Sequence, residues 1–395
     1  MIGLSRLLGA PLTDGDALRY GRPLLNRKPV VVWNCTRTCN LHCVHCYADS
    51  ESRQYDGELT TEEAKMMILD LAQYGVPALL FSGGEPLIRP DILELASFAR
   101  GVGIRVTLST NGTLITPFKA AALKSIGFAY VGISLDGLGD VNDRFRGRAG
   151  AFGAAVEGIR NCLKIKQKVG LRMTLTRHNA GDLENILNFV EAENILRVCF
   201  YHFVGSGRGR SMASAGLTLE ETRHAMDTII EHTQRWIREG RSIEVLTVDQ
   251  HVDGIYLYLK LLQTDPARAR AVLDLLESNG GGRGSSGVGI ADIDFLGNVH
   301  PDQFWMDVTL GNVKERPFSE IWSDPADPLL ASLRDRLPRL TGRCAACVFQ
   351  KACGGSLRVR AVRAGKDAWA SDPACYLTDN EIIGPPARRG AGTAV

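Results

Sequence analysis

The sequence predicts an α/β protein: a partial (β/α)6 barrel followed by a small C-terminal domain with its own set of cysteines. Three observations carry that expectation. Six short β-type runs alternate with longer helical patterns between about Pro29 and Gly240, and successive β–α units give a parallel sheet with right-handed crossovers. Turn-forming residues follow four of the runs, where a curled parallel sheet gathers its active-site loops. The cysteines fall into two clusters, one just after the first run and one near the end of the chain.

Taken in order, residues 1–28 form an N-terminal segment and residues 29–240 the barrel. Strands are expected at Val30–Trp33, Ala78–Ser82, Arg105–Ser109, Tyr130–Leu135, Leu171–Thr176 and Val198–Phe203. Thr60 and Glu63 make a capping box, after which Ala64, Met67, Ile68 and Leu71 recur on one helical face. Thr218 and Glu221 repeat that signature ahead of a helix ending near Gly240. The Gly205–Gly209 stretch is either a loop at the barrel mouth, with Arg208 and Arg210 available for anions, or a plain flexible loop. Residues 241–275 mix strand and helix signals and connect to the small domain, assigned to 276–380. Within it, 279–289 is glycine-rich but lacks a following Gly-Lys-Ser/Thr, so it is not a phosphate loop. Residues 381–395 read as a disordered tail.

Composition removes several function classes. With a net charge of +2 on 395 residues, nothing draws the chain to nucleic acid or an anionic membrane. No apolar run reaches the roughly 18 residues of a membrane span, and the N-terminal apolar stretch is too short and broken for a signal peptide. The cytoplasm is therefore the expected location. In that reducing setting clustered cysteines point to metal ligation or catalysis rather than disulfides. Cys162 and Cys199 stand apart in apolar surroundings and read as small buried hydrophobes.

Cys39-x3-Cys43-x2-Cys46 places three thiolates in one compact loop. Three thiolates on a four-iron cubane leave one iron open, as a reactive centre requires. A structural zinc site with Cys35, His42 or His45 as fourth ligand is the alternative. Asn40 after the first cysteine, Tyr47 after the third, and Gly83-Gly84-Glu85-Pro86 after the second strand resemble the radical S-adenosylmethionine (SAM) superfamily. The resemblance implies that Cys39, Cys43 and Cys46 hold a catalytic [4Fe-4S] cluster whose open iron chelates SAM. One-electron cleavage of SAM would then yield a 5′-deoxyadenosyl radical. It also implies that Gly83, Gly84 and Glu85 line the SAM amino group, and Ser109 and Asn111 its methionine or ribose region. Ser134 and Asp136 are expected at the ribose, with Arg172 approaching the carboxylate. Cys35 reads as a core residue at the strand end.

Cys344-x2-Cys347-x5-Cys353, with Cys375 21 residues further on, can close a second cluster with no open iron. A zinc ribbon is the competing reading. The set resembles the SPASM or twitch extension, which implies an auxiliary iron–sulfur cluster, expected as [4Fe-4S]. Asp302 follows Gly297-Asn298-Val299-His300-Pro301, and Leu357 lies four residues after Cys353, where two-cluster extensions carry cysteines. One auxiliary cluster is thus expected, with Asp302 or His300 as conceivable extra ligands.

Segments from VVVWNCTRTCNLHCVHCYADS to DPACYLTDNEI resemble the heme-biosynthesis branch of the superfamily, and within it the NirJ family of heme d1 biosynthesis. That resemblance implies removal of two propionate side chains from 12,18-didecarboxysiroheme. An external low-potential donor such as a flavodoxin or ferredoxin would be the redox partner. Arg144, Arg146, Arg208 and Arg210 are candidates for the substrate carboxylates, His178 and His202 for its iron, and Phe304 and Trp305 for a macrocycle face. Heme synthase by oxidative decarboxylation, didecarboxysiroheme-to-coproheme conversion, a peptide-maturing SPASM enzyme and a non-catalytic iron–sulfur or zinc scaffold stay open as alternatives.

Overall fold

In the computed structural model, which describes residues 1–21 and 27–383, one sheet of eleven strands runs through the molecule. The expected tail lies mostly outside the described residues. A short β1 (Ile2–Gly3) is followed by β2 (Val30–Thr36), β3 (Ala78–Gly83), β4 (Arg105–Thr110), β5 (Val131–Ser134), β6 (Val169–Leu175) and β7 (Arg197–His202). Strands β2 to β7 pair in sequence order and all in parallel, at the six places the hydrophobic runs predict. Their apolar runs are nearly continuous because helices cover the outer face. Side chains from all six, Val32, Ser82, Ser109, Ser134, Arg172 and Tyr201 among them, line one internal space. The sheet is therefore curled around that space as a partial barrel.

The helices start and stop where local chemistry dictates. Thr60 and Glu63 close a capping box at helix Thr61–Tyr74, which ends at Gly75 in the left-handed region. Thr218 and Glu221 do the same for helix Leu219–Arg238. Ala64, Met67, Ile68 and Leu71 are buried on one face, as their spacing requires.

The sheet extends past the barrel at both ends. Strand β8 (Glu244–Val248) pairs in parallel with β7, and β1 caps it antiparallel. At the other edge β9 (Ile290–Ile293) runs parallel to β2, followed by antiparallel β10 (Asn298–His300) and β11 (Gly311–Asn312). Helix Gln350–Cys353, which carries Cys353, packs onto helices Val252–Thr264 and Pro266–Asn279. The glycine-rich stretch has a packing role here. A Cβ on Gly281 would lie 2.1 Å from the Ala352 carbonyl oxygen, so only glycine lets this turn press against helix Gln350–Cys353.

Candidate functional site

Beyond β2 the chain enters the loop carrying Cys39, Cys43 and Cys46, and every one of these sulfurs faces an N–H donor. The Leu41 amide donates to Cys39 Sγ at 3.4 Å and the Ser50 amide to Cys46 Sγ at 3.4 Å. Arg146 Nη1 reaches Cys43 Sγ at 3.6 Å, and Asn111 Nδ2 lies 3.9 Å from Cys39 Sγ. Burial pushes the Cys39 thiol up to about 12 and raises that of Cys43. Bare thiolates are therefore disfavoured here until a metal supplies compensating charge.

Three anchors fix the loop. A Cβ on Gly84 would lie 2.2 Å from the Thr38 carbonyl oxygen, so the Gly-Gly turn after β3 abuts the cysteine loop only because it lacks side chains. Arg208 donates from Nε to the Cys43 carbonyl at 2.9 Å and from Nη2 to that of Ser50 at 2.9 Å, and pairs with Asp49. Tyr47 donates its hydroxyl to Asn34 Oδ1 at 2.8 Å, and Asn34 donates to Asp292 on β9 at 2.9 Å.

The three cysteines open onto a space of about 1110 Å³ that reaches solvent. Gly83, Gly84, Ser109, Asn111, Ser134 and Arg172 line it, so six of the expected SAM contacts converge on one chamber. Glu85 and Asp136 lie behind that lining, fully buried. Glu85 accepts from Thr110 Oγ1 at 2.7 Å, the Asn111 amide at 2.8 Å and the Leu87 amide at 3.1 Å. It ties the turn after β3 to the turn after β4. Asp136 accepts from the Thr174 amide at 2.6 Å and pairs with Arg146. Arg146 is thereby held through its two terminal nitrogens by Asp136 and Cys43. His45 Nε2 lies 3.8 Å from Asp136, yet burial outweighs the carboxylate and brings the imidazole down to about 4, so this contact joins a neutral ring to an aspartate.

Other expected residues sort by location. Cys35 is in the core, donating to the Ser82 carbonyl at 3.3 Å, and does not line the chamber. His178 and Arg144 are exposed, while His202 is buried and bonded through Nε2 to Asp253 at 2.9 Å. Phe304 reaches the chamber wall; Trp305 is packed with Val204, Leu357 and Val359. Tyr201, Asp249 and Gln303 also line the chamber and have no motif to mark them. Asp249 follows β8, and its non-glycine backbone is held at φ 67°, the kind of constraint that functional rims retain.

Cys344, Cys347, Cys353 and Cys375 all line a second cavity, of about 490 Å³, whose other walls include Val252, Ile255, Phe349 and Leu377. Asp302 and His300 are not among its lining. Asp302 accepts from Ser286 and from the Phe304 amide, and His300 Nδ1 faces the Val308 carbonyl oxygen at 2.6 Å. Among the described residues no three His, Cys, Asp or Glu side chains converge tightly enough to hold a single ion.

The signature of the Radical SAM superfamily matches residues 33–190. The chain is 50% identical to the Fe-coproporphyrin III synthase of Methanosarcina barkeri over 97% of its own length and 99% of that protein. The chain belongs to the radical SAM superfamily. It is also 44% identical to the pre-heme d1 synthase of Dinoroseobacter shibae, over 90% of this chain and 87% of that protein. A peptide-bound structure of Streptococcus suis SuiB covers 88% of this chain and 76% of its own with TM-score 0.69 at 19% identity, a likeness of fold alone. The chain is thus a radical SAM enzyme of the heme branch, with a [4Fe-4S] cluster and SAM as cofactors. The loop fits the cluster: three sulfurs, each met by a donor, beside a glycine cradle with room for SAM. No described helix is long and apolar enough to cross a membrane.

Proposed function

We propose that this enzyme converts 12,18-didecarboxysiroheme to iron coproporphyrin III. The observation that carries the reading is near end-to-end similarity, at 50% identity, to a protein that bears the name Fe-coproporphyrin III synthase. This reorders the sequence-based expectation, which put propionate removal toward heme d1 first. That second reading keeps the support of 44% identity to a pre-heme d1 synthase.

When bound, the cluster and SAM supply a carbon radical able to take hydrogen from an unactivated side-chain carbon. The protein's own task is to hold, orient and exclude. Cys39, Cys43 and Cys46 would hold the cluster, with Asn111, Arg146 and the Leu41 and Ser50 amides tuning its sulfurs by hydrogen bonding. Gly83, Gly84, Ser109, Asn111, Ser134 and Arg172 would seat SAM, with Glu85 and Asp136 positioning those turns from behind. Cys344, Cys347, Cys353 and Cys375 would hold one auxiliary cluster, and their common cavity supports that reading. A low-potential donor such as a flavodoxin or ferredoxin would supply electrons.

The deciding experiment is mass spectrometry of an anaerobic reaction of reconstituted enzyme, SAM, dithionite and 12,18-didecarboxysiroheme. Iron coproporphyrin III with deoxyadenosine is the expected result. Loss of two propionates instead would establish the second reading. Deoxyadenosine beside an unchanged tetrapyrrole would refute both.

A further inference from the structure

A second large space, about 1340 Å³ and open to solvent, lies beyond the chamber. The loop Gly205–Leu217 and the start of helix Leu219–Arg238 form one side, and helix Val359–Arg363 with Pro373 and Ala374 the other. His202 and Phe203 line both spaces, so they form the neck between them. Because SAM and a cluster must occupy the inner chamber, a bulky substrate needs further room. The enclosed part of the outer space, about 500 Å³, falls within the usual range of a ligand site, about 300 to 1,000 Å³.

Its lining has a specific chemistry. Leu175, Phe203, Leu217, Leu219 and Val362 supply apolar surface, and Arg210, Arg360 and Arg363 supply three guanidinium groups; no Asp or Glu lines it among the described residues. Two carboxylates stand just outside. Asp372 binds Arg360 Nε and Nη2, each at 3.0 Å, and Asp307 binds both terminal nitrogens of Arg363 at 2.7 Å. Arg210 Nη2 comes no closer than 3.8 Å to the same Asp307. Asp249 and Asp253 also act on Arg360 from behind the wall, so Arg210 at the rim is the cation least neutralised.

Arg360 adds a sharper clue. Its side chain is only 6% exposed, and two of its three nitrogens are bonded, yet buried Nη1 has no partner. A buried charged donor left unsatisfied costs more than an ordinary hydrogen bond returns; other arginines carry such a nitrogen too, but Arg360 is the one among the described residues that also lines the outer space, where a ligand could bring the acceptor. The flat guanidinium edge suits a carboxylate.

We propose that this outer space seats the tetrapyrrole macrocycle, with one of its carboxylates bound by Arg360 Nη1 and another met at the rim by Arg210. The reacting side chain then passes the His202–Phe203 neck into the SAM chamber. The assignment rests on the tetrapyrrole reading above and adds where that substrate lies and which residues recognise it. Of the four arginines expected from sequence, only Arg210 lines this space; Arg360 and Arg363 come from the other end of the chain.

The test is a binding titration on the reconstituted full-length enzyme, read from the Soret band, with iron(III) coproporphyrin III and its tetramethyl ester as probes. Arg360→Gln should weaken binding of the acid about tenfold and Arg210→Gln about threefold. The ester should bind wild type weakly and be indifferent to either change. Arg160→Gln, a similarly exposed site outside the space, should bind as wild type. If Arg360→Gln fails to fold because Asp372 loses its partner, exposed Arg210 and the ester comparison decide. Wild-type affinity in both variants, with the acid still bound, would overturn this site and leave the functional reading standing. A wild type that binds neither probe would overturn both.

Discussion

Cys39, Cys43 and Cys46 sit on the wall of a chamber of mixed polar and apolar lining, whereas Cys344, Cys347, Cys353 and Cys375 line an almost wholly apolar cavity of less than half its volume. The first set has three sulfurs, all met by N–H donors, and abuts a glycine turn that leaves space. The second has four sulfurs and is walled by Val252, Ile255, Phe349 and Leu377. On the proposed reading, three thiolates beside a chamber with polar groups would leave an iron free to bind SAM. Four thiolates in apolar surroundings would, on the same reading, suit a centre that exchanges electrons and meets no substrate. The two are joined by a short segment: Asp249 lines the chamber, and Val252, three residues on, lines the cavity. Three residues span at most about 11 Å. Gln250 and Ser356 lock that segment, with Ser356 Oγ donating to Gln250 Oε1 at 2.7 Å.

The comparison breaks most visibly at the ligands themselves. Cys43→Ala should abolish deoxyadenosine formation, a loss of at least about a thousandfold, while about half of the iron remains; deoxyadenosine chromatography and iron analysis check this. Cys353→Ala should also remove about half of the iron but leave SAM cleavage measurable while tetrapyrrole product disappears. If it stops SAM cleavage as well, the division of labour between the sites is wrong.

Smaller effects sharpen it. Arg146→Met strips buried Asp136 of its cation, and breaking such a pair costs about 3 to 5 kcal/mol; the melting temperature should fall accordingly. Asp249 is raised to about 6, first by burial and further by Asp302, against the lowering pull of the N-terminal amine, Arg360 and His202. A carboxyl with a raised folded pKa costs stability from about pH 4, where the unfolded chain ionises, and the cost is complete above the folded value. Asp249→Asn should therefore melt above wild type at pH 7 to 8, with the pH-dependent part of the gain vanishing near pH 4. Cys35→Ala should retain all the iron and most of the activity, since its sulfur bonds only a strand carbonyl.

Much of the barrel was legible because its determinants are local. Alternating hydrophobic runs and threonine–glutamate caps depend on residues a few positions apart, and all six strands fall where those patterns place them. Strand β8 was harder to read, since residues 241–275 mix two periodicities, and with it went Asp249 on the chamber wall. The cysteine triplet and glycine turn were likewise visible as motifs after strands.

Taken alone, the sequence determined the order of elements and the superfamily and marked two cysteine sets as candidate ligands, all of which follow from spacing along the chain. Tertiary structure decided which charged groups are free. Arg146 and Arg208 looked available for substrate but are held by Asp136, Asp49 and the cysteine loop, and neither lines the outer space. Arg360, about 150 residues beyond Arg210, carries the unpaired donor at the shared space. Whether a guanidinium is spent or free depends on partners distant in sequence, and only packing brings those together.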